Sequence, residues 1–496
     1  MKHGPMLQKT KTSSLDAEPW RETMNMESIK KIVTGFVLLL SLCAELCAQT
    51  PAEASLLAIT HVNVVDVAAG SIQPDMTVVV QGNRIVKVEK ATKVHASKTS
   101  RVIDGRGKFL IPGLWDMHVH TMFGDWIPGS REVSLPLFVA NGVTGERDMG
   151  GNLDTLLAWR KEIAAGTLIG PRMVIAGPML DGPKPRFPDS VLLTSPEQAR
   201  KAVDDLKAGG ADFIKVQSFI LRDEYFAVVD EARKQHLVLA GHVPDVIRAS
   251  EASDAGQKSI EHLTGVFEGC STREDDFLKR PKTPKQFLDS YDEARCKALI
   301  AQFARNHTWQ VPTLVWERGQ WLVDVIDYSH DPQLKYAPAS WQKKSWPDFT
   351  KSIIAELDTD PVEARRQFVQ KELNVVAAMR KAGVEFMAGT DTAAAVAVLP
   401  GSSLHTELEY FVEAGFTPAE SLRTATLNPA IFMGEEADHG TVAAGKVADL
   451  VLLDANPLED IRNTRKISAV VLNGRLLGRG ELDLMLGKIA EFAKSH

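Results

Sequence analysis

Two histidines separated by a single residue, His118 and His120, are the positions of this chain best suited to chemistry. They end the run Ile111-Pro-Gly-Leu-Trp-Asp-Met-His-Val-His120, which has the apolar character of a short strand. Side chains alternate along a strand, so both imidazoles are predicted on one face, about 7 Å apart along the backbone. Such a pair can bind a divalent cation such as zinc. Alone it is a weak indication, because most strands with two histidines bind no metal.

Four further residues with metal-binding or catalytic side chains lie at the ends of short apolar segments. Each segment is predicted to be a strand, and the candidate residue lies at or near its carboxyl end: Lys215 in Phe213-Ile-Lys-Val216, His242 after Leu237-Val-Leu-Ala-Gly241, His262 in Ser259-Ile-Glu-His262 and Asp391 after Glu385-Phe-Met-Ala-Gly-Thr390. The steps from Lys215 to His242 and from His242 to His262 are each about the length of one strand–helix unit. The spacing therefore predicts that these side chains meet at one edge of a sheet.

The elements that must position these residues alternate between strand and helix. The stretch Ala364–Gly383, for example, has apolar residues at helical spacing and a glycine at its end. Alternation over about 300 residues favours a parallel sheet, and at this length a (β/α)8 TIM barrel is the leading interpretation. Barrel enzymes carry their chemistry at the carboxyl ends of the strands, where the candidate residues lie.

Four histidines, one aspartate and one lysine at the mouth of a barrel fit a binuclear metal centre. A protonated lysine would be repelled by two cations, so Lys215 must be neutral, distant or modified. Addition of carbon dioxide to its amine gives a carbamate, whose two oxygens could bridge two metal ions. The bridged pair would lower the pKa of a shared water and supply hydroxide as the nucleophile. Asp391 would take the proton and pass it to the leaving group.

The two flanks of the chain are rich in β-branched residues and differ from its middle. Strands with turns between them are predicted before residue 111, and the same texture returns in Asp449–Asp454 and Ile467–Gly474. We therefore expect an α/β protein with a small β-sandwich assembled from both chain ends. The expected domains are an unstructured extension, a signal peptide, the first part of the sandwich, the barrel, the second part of the sandwich and a C-terminal helix, over residues 1–25, 26–48, 49–111, 112–430, 431–482 and 483–496.

The N-terminal region has the pattern of a secretory signal. Lys30 and Lys31 precede the apolar run 32–42, and small residues follow it up to Ala48. The run is short for a membrane span, so no stable membrane anchor is expected. Cleavage near Ala48 would place the mature protein in the periplasm or outside the cell.

The composition of the chain limits the classes of molecule that it is expected to bind. The net charge of −7 is mild for 496 residues, and the chain has no basic stripe, which argues against nucleic acid as a partner. We expect a small-molecule or dipeptide substrate and a homo-oligomer. After cleavage two cysteines remain, Cys270 and Cys296, which in an oxidising compartment could form a disulfide or remain free thiols.

Taken together, the motifs resemble those of the amidohydrolase superfamily, in its imidazolonepropionase-like and Xaa-Pro dipeptidase-like branch. The likeness covers about residues 56 to 480 and is carried, in chain order, by Pro112-Gly-Leu-Trp-Asp-Met-His-Val-His120, Gly142-Val-Thr-Gly-Glu-Arg-Asp-Met-Gly150, Phe213-Ile-Lys-Val216, Gly241-His242, Ile260-Glu-His-Leu263, Ala388-Gly-Thr-Asp391, Leu404-His-Thr-Glu-Leu-Glu409, Ala425-Thr-Leu-Asn-Pro-Ala430 and Gly445-Lys-Val-Ala-Asp-Leu450.

The resemblance implies a distribution of metal ligands. One metal ion would be held by His118, His120 and Asp391, the other by His242 and His262, with carbamylated Lys215 bridging the two. Zinc is the default for nitrogen and oxygen ligands, although manganese, cobalt or iron also suit them. The chain departs from the pattern at Gln217, where many relatives have a tyrosine, so a substrate contact by that tyrosine does not carry over.

The function expected from these residues is hydrolysis of an amide bond in a dipeptide or an N-acyl or N-aroyl amino acid. The same centre could act on an ester, lactone or carbamate, because the nucleophile is common to all of them. A mononuclear deaminase or imidazolone hydrolase is disfavoured by Lys215, which relatives with that chemistry commonly lack. A non-catalytic barrel is disfavoured because no ligand is missing.

For three features the sequence allows more than one role. His405 opens an amphipathic helix and could support the metal ligands or make a helix-start contact. Arg147 and Asp148 end a strand near the mouth; Arg147 could support the metal ligands, or the two could simply pair with each other. The aromatic-rich segment 316–361 could cover a substrate, form an oligomer contact or fold into a local helical pair.

Overall fold

The computed structural model describes residues 56–93, 101–122, 127–279, 282–357 and 360–496. The predicted extension over 1–25, the signal peptide over 26–48 and the cleavage point near Ala48 lie outside these residues. No helix in the described ranges is long and apolar enough to cross a membrane.

Both ends of the described chain contribute to one mixed sheet of eight strands. Its order is β17-β16-β15-β5-β1-β2-β3, with β4 paired to β1. Apolar side chains such as Val78 and Leu450 fill its core, as the alternating β-branched residues of these segments require. The strands are β1 Leu57–Asp66, β2 Ser71–Gln81, β3 Arg84–Lys90, β4 Arg101–Asp104, β5 Phe109–Pro112, β15 Leu450–Leu453, β16 Ile467–Leu472 and β17 Arg475–Gly478.

The middle of the chain forms two all-parallel sheets, ordered β6-β7-β8 and β10-β9-β11-β12-β13-β14. Nearly all residues of the longer strands are buried, as expected for parallel strands covered by helices. The strands are β6 Leu114–Val119, β7 Val143–Asp148, β8 Arg172–Ile175, β9 Leu180–Asp181, β10 Val191–Leu192, β11 Phe213–Val216, β12 Val238–Gly241, β13 Ser259–Glu261 and β14 Trp309–Val311.

The predicted strand Glu385–Gly389 makes only an isolated bridge, between Phe386 and Gln310. Its backbone nevertheless connects the two parallel sheets. On one side the Met387 amide donates to the Gln310 carbonyl at 3.0 Å, and on the other the Met117 amide donates to the Ala388 carbonyl at 2.9 Å. The segment therefore lies between β14 and β6.

Helices connect most of the parallel strands. The predicted helix Ala364–Gly383 is observed as Val362–Lys381, with Gly383 at a φ of 84° just beyond its end, a conformation that suits glycine. The α-helices are Ser130–Ala140, Leu153–Ala164, Pro196–Gly209, Arg222–Lys234, Ala249–Ala255, Val266–Gly269, Glu274–Phe277, Pro284–Ser290, Glu293–Asn306, Leu314–Trp321, Trp346–Leu357, Val362–Lys381, Ser402–Glu413, Pro418–Thr424, Leu427–Met433 and Arg479–Ser495.

The aromatic-rich segment 316–361 is largely helical. Trp341 and Trp346 are buried in a small cluster with residues of helix Ser130–Ala140 and with Ile489 of the C-terminal helix. The Trp341 indole N–H donates to the Pro128 carbonyl at 2.9 Å. These two aromatic side chains therefore pack within the chain, while Trp316 and Trp321 of helix Leu314–Trp321 line a cavity.

Cys270 and Cys296 are joined by a disulfide, with Cα atoms 4.1 Å apart. The bridge links the end of the short helix Val266–Gly269 to the first turn of helix Glu293–Asn306. The disulfide constrains the connection after β13, and His262 is the first residue of that connection.

Candidate metal centre

His118 and His120 converge on Asp391. The Nε2 atoms of the two imidazoles lie 3.4 Å and 3.2 Å from Asp391 Oδ1. All three residues are buried, and their ligand atoms lie within 4.8 Å of one another, close enough to share one cation. Burial, reinforced by the nearby Lys215 ammonium, holds the pKa of His118 well below its ordinary value. The neutral imidazole, which is the form that binds metal, is thereby favoured.

The other ring nitrogen of each of these histidines has a hydrogen-bond partner. His118 Nδ1 lies 2.8 Å from Glu261 Oε2, and His120 Nδ1 lies 2.9 Å from the Gly150 carbonyl. Both partners are acceptors, so each Nδ1 carries a proton; in His118, whose pKa burial lowers, Nε2 then presents a lone pair. His118 Nε2 is buried and has no hydrogen-bond partner. This arrangement is typical of metal-binding histidines.

His242 and His262 have the same orientation. His242 Nδ1 lies 2.8 Å from Ser218 Oγ, and His262 Nδ1 lies 2.7 Å from Thr313 Oγ1. Ser218 donates its own proton to Gln217 Oε1 at 3.2 Å, so its oxygen accepts from His242. Gln217 therefore orients a histidine through a serine.

The two histidine pairs form one group. The ring centroids of His242 and His262 are 4.9 Å apart, and those of His118 and His262 are 4.5 Å apart. His262 Nε2 also lies 3.8 Å from Asp391 Oδ2. The structure thus brings together four histidines that the sequence places at three separate strand ends.

Lys215, on β11, is buried among these groups, and its Nζ atom has no hydrogen-bond partner. Burial lowers the pKa of its amine to about 8, although the carboxylates of Glu261 and Asp391 oppose this shift. A large fraction of the amine is therefore neutral at mildly alkaline pH. Burial of an amine without a hydrogen-bond partner costs free energy unless another group binds to it or modifies it.

Asp391 has a fixed backbone and an available carboxylate. Its amide donates to the His118 carbonyl at 2.7 Å, and its φ of 56° lies in the left-handed region that aspartate tolerates. The preceding Thr390 is held by Asp116, which accepts its hydroxyl at 2.7 Å. Asp391 Oδ1 has no hydrogen-bond partner. The residue therefore combines a fixed position with a free acceptor.

Arg147 supports this group through Glu261, a residue that the sequence analysis did not single out. Arg147 Nη2 donates to both carboxylate oxygens of Glu261 at 3.0 Å, and Arg147 Nε donates to the Met117 carbonyl at 2.6 Å. Arg147 and Glu261 are both fully buried. Of the two roles that the sequence left open for Arg147, the structure shows a contact with Glu261 in place of a pair with Asp148, which accepts the Thr121 and Gly150 amides. The one signal in the sequence was a charged residue directly before His262 in an apolar strand.

His405 uses both ring nitrogens elsewhere. Nδ1 lies 2.9 Å from Thr464 Oγ1 and Nε2 lies 3.0 Å from the Asn141 carbonyl. Burial, with a contribution from Arg465, lowers its pKa to about 3. The structure therefore places His405 in contacts that connect helix Ser402–Glu413 to its neighbours.

Thr313 joins the histidine group to the helix that follows β14. Its hydroxyl holds His262, and helix Leu314–Trp321 begins at the next residue. The buried Glu407 carboxylate accepts the Leu314 and Val315 amides at 2.9 Å and 2.8 Å, which satisfies N–H groups that lack a partner within the helix. The Trp316 ring then lies 4.9 Å from the His262 ring.

A cavity of about 1440 Å³ opens over the histidine group and extends along this helix. His120, His242, His262 and Asp391 line one part of it, and Trp316, Glu317 and Trp321 line another. Small-molecule sites commonly occupy roughly 300–1,000 Å³, so there is room for a ligand larger than a dipeptide.

Comparison with known proteins places the chain in a family. The Amidohydrolase family profile matches residues 109–477. The chain belongs to the amidohydrolase family. It is therefore a hydrolase that acts on amide bonds, as the sequence motifs predicted.

Individual relatives are distant in sequence. The ochratoxinase of Aspergillus niger is 24% identical in an alignment of 418 positions that covers 73% of each chain. The structure of a bottromycin amidohydrolase superposes with a TM-score of 0.69 at 23% identity, covering 88% of this chain and 90% of that one. A Xaa-Pro dipeptidase with bound methionine gives 0.64 at 21% identity, covering 86% and 100%.

Proposed function

We propose that the chain is a binuclear-metal amidohydrolase that cleaves the amide bond of a dipeptide or of an N-acyl or N-aroyl amino acid. One observation carries the proposal: four imidazoles, those of His118, His120, His242 and His262, lie in one group beside Asp391, and each uses Nδ1 for a hydrogen-bond contact within the protein. The unpartnered Lys215 Nζ and Asp391 Oδ1 atoms lie in the same group. Together they supply nitrogen and oxygen donors suited to zinc.

The fold that we propose around this centre is a (β/α)8 barrel. Strands β6 to β8 and β11 to β14 would supply seven of its strands, and the segment around Met387, which connects β14 to β6, the eighth; the two-residue strands β9 and β10 are additional. The Asp212 amide also donates to the Ile175 carbonyl at 2.8 Å, which connects β8 to the start of β11. These hydrogen bonds support a closed arrangement in which all candidate ligands lie at strand carboxyl ends.

His118, His120 and Asp391 would hold one ion, and His242 and His262 the other. Lys215, as a carbamate, would contribute to both. Formation of that carbamate requires the neutral amine, which burial makes available near pH 8, and releases one proton. Two divalent ions bound there would acidify a water molecule and polarise the substrate carbonyl.

Asp391 is the group placed to move the proton. Its free Oδ1 lies beside the imidazoles and the residue lines the cavity, so it can reach both the attacking water and a substrate. It would accept a proton from the water as the carbonyl is attacked and donate it to the nitrogen that leaves. Glu261 and Arg147 would hold the His118 ring throughout, without touching substrate.

Two of the relatives named above support the choice of an amide over an ester, because one is named a Xaa-Pro dipeptidase and the other an amidohydrolase. The cavity volume also accommodates substrates of different sizes. The enzyme would act in the periplasm or outside the cell, where scavenging or detoxifying hydrolysis is useful. A homo-oligomer remains a prediction that size-exclusion chromatography with light scattering would check.

The test is a hydrolysis screen of residues 49–496, purified with zinc and bicarbonate. Dipeptides and N-acyl aromatic amino acids are paired with matched esters and lactones, and release of amine or acid is measured. Turnover of the amides is expected, and Asp391→Asn should reduce it by about 10²–10⁴-fold.

Two other results of the screen would change the proposal. Turnover confined to esters and lactones would move the activity to that class of substrate with the same centre. A protein that binds no metal and hydrolyses nothing would contradict it.

A further inference from the structure

Beside the histidine group, the cavity contains a set of buried hydrogen-bond acceptors that the proposed hydrolysis does not use. Glu317 and Gln320 lie on helix Leu314–Trp321, and Glu372 lies on helix Val362–Lys381. All three line the cavity and are at most 9% exposed. We refer to Glu317, Gln320 and Glu372 as the acceptor cluster.

Gln320 shows that this cluster is incomplete. Its Oε1 atom is buried and has no hydrogen-bond partner. Glu372 accepts a hydrogen bond from the Trp321 indole N–H at 3.0 Å, and a carboxylate can accept several more. The buried Gln320 Oε1 atom can therefore be satisfied by a ligand that brings a donor, while the unpartnered Trp316 indole N–H in the same cavity is open to an acceptor.

The acceptor cluster also lacks a positive charge. Among the residues that the structure describes, no lysine, arginine or histidine forms an ion pair with Glu317 or Glu372. The cations that line the same cavity are already paired: Lys282 with Glu268 at 3.0 Å, and Arg186 with Glu356 at 3.8 Å. Burial raises the pKa of Glu372 to about 8 and, together with the charge of Glu372, raises that of Glu317. A bound cation would lower both pKa values again and displace the proton that these carboxyl groups retain without it.

The surroundings favour an organic cation over a metal ion. The rings of Trp316, Trp321 and Phe368 line this part of the cavity, and aromatic faces attract ammonium and guanidinium groups. The group of three metal-binding side chains found among the described residues is His118, His120 and Asp391, and it does not include Glu317 or Glu372.

The acceptor cluster lies near the residues proposed to carry out the hydrolysis. The Trp316 ring contacts the His262 ring, and Glu317 is the next residue in the chain. The first member of the acceptor cluster therefore directly follows a residue that contacts the histidine group. A substrate whose amide lies at Asp391 could reach the cluster with a side chain that passes Trp316.

We propose that the acceptor cluster binds an ammonium or guanidinium group of the substrate and so selects amides with a basic side chain. This inference rests on the proposed function for the identity of the bond that is cleaved. The binding of the cation itself does not depend on cleavage, and the two can be tested separately.

The first experiment measures binding by isothermal titration calorimetry to the zinc-loaded enzyme. Butylguanidinium is compared with butylurea, which has nearly the same shape and no charge. Wild type is expected to bind the guanidinium at least about tenfold more tightly, a difference of about 1.4 kcal/mol. The double variant Glu317→Gln/Glu372→Gln keeps the shape of both side chains and is expected to bind the two compounds equally.

Glu356→Gln is the matched control, because Glu356 lines the same cavity but is exposed and paired with Arg186. It should keep the wild-type preference. Equal binding of the two compounds by wild type, or a preference that survives in the double variant, would overturn the proposal. If the double variant does not fold, Glu317→Gln and Glu372→Gln are tested singly, and each should reduce the preference.

The second experiment uses turnover. Two amide substrates that differ only in carrying an arginine or a citrulline side chain are compared by kcat/KM. Wild type should favour the arginine substrate about tenfold, and the double variant should lose that preference while it retains activity on the citrulline substrate. A preference seen in binding without hydrolysis of either amide would contradict the proposed function and leave the cation site standing. An equal loss on both substrates would overturn the cation site.

Discussion

The eight-stranded sheet and the ends of the parallel strands differ in what they bury. The core of the eight-stranded sheet consists of aliphatic side chains, such as Ile59, Val78 and Leu450. The parallel strands bury aliphatic residues too, but between them lie ionisable groups that are fully or almost fully buried: Asp116, His118, Glu146, Arg147, Asp148, Lys215 and Glu261.

This difference separates two reasons for a residue to be present. Aliphatic burial stabilises the fold directly. Burial of an ionisable group costs free energy unless it is paired or neutralised, so a concentration of such groups indicates chemistry. Substitutions in the eight-stranded sheet should therefore lower the stability of the fold and leave catalysis intact. Substitutions among the buried ionisable groups should lower catalysis and leave the stability largely unchanged.

The largest effect is expected from Lys215→Ala. The variant removes the only amine at the centre of the described histidine group, and with it the proposed carbamate, so turnover should fall below detection. A short-chain carboxylic acid such as propionate should restore part of it, because its two oxygens replace those of the carbamate. Thermal unfolding is the control and should not show a loss of stability. Full turnover in the variant would contradict a bridging role.

A cavity in the eight-stranded sheet tests the opposite region. Leu450→Ala removes a fully buried side chain and should lower the free energy of unfolding by about 2–5 kcal/mol. Denaturant unfolding measures this, and kcat/KM per folded molecule should stay at the wild-type value. A variant with normal stability and reduced kcat/KM would break the comparison.

Glu261→Gln should weaken metal binding. The amide cannot accept from His118 and from Arg147 as the carboxylate does, so the orientation and basicity of the His118 ring are impaired. Metal affinity should fall by about 10–100-fold, measured by competition with a chelator. Glu385→Gln is the control, since Glu385 is an exposed partner of His307 and should leave the affinity unchanged. Equal affinities in wild type and Glu261→Gln would remove Glu261 from the metal site.

The smallest effect concerns pH and the acceptor cluster. Burial raises the pKa of Glu372 from 4.5 to about 8, so between these values the folded state retains a proton that the unfolded state has lost. The free energy of unfolding should therefore fall as pH rises through this window, by at most about 1.4 kcal/mol per pH unit from this group. Glu372→Gln should give a flatter curve in urea unfolding at pH 5 to 8. Parallel curves for both proteins would show that Glu372 is ionised throughout.

Much of the candidate site was accessible from the sequence, because the rule that chemistry lies at strand ends depends only on local patterns. That rule selected His118, His120, His242, His262 and Asp391, which the structure brings into contact with one another. Their division between two ions, and the carbamate on Lys215, stay predictions. The β-branched residues of both flanks predicted a small β-sandwich from the two chain ends; the structure pairs strands of both ends in one mixed sheet, and the sandwich stays a prediction.

Other features depend on contacts between distant positions that no local pattern encodes. Glu261 acquires its role only when β7 brings Arg147 beside it and β6 brings His118. The predicted strand at Glu385–Gly389 forms an isolated bridge in place of a ladder, because its backbone hydrogen bonds to β14 involve Gln310 and the one to β6 involves Met117. The acceptor cluster joins two helices that are about fifty residues apart in sequence, Glu317 and Glu372.

Thr313 has a consequence for how this enzyme can diversify. The same short segment holds His262 through a hydroxyl and begins the helix that carries Glu317 and Gln320. A mutation that shifts this helix to admit a new substrate would also turn His262 and disturb the metal centre. Changes in substrate range are therefore expected to accumulate as side-chain replacements on a fixed helix, whereas insertions and deletions at this junction should be purged by selection.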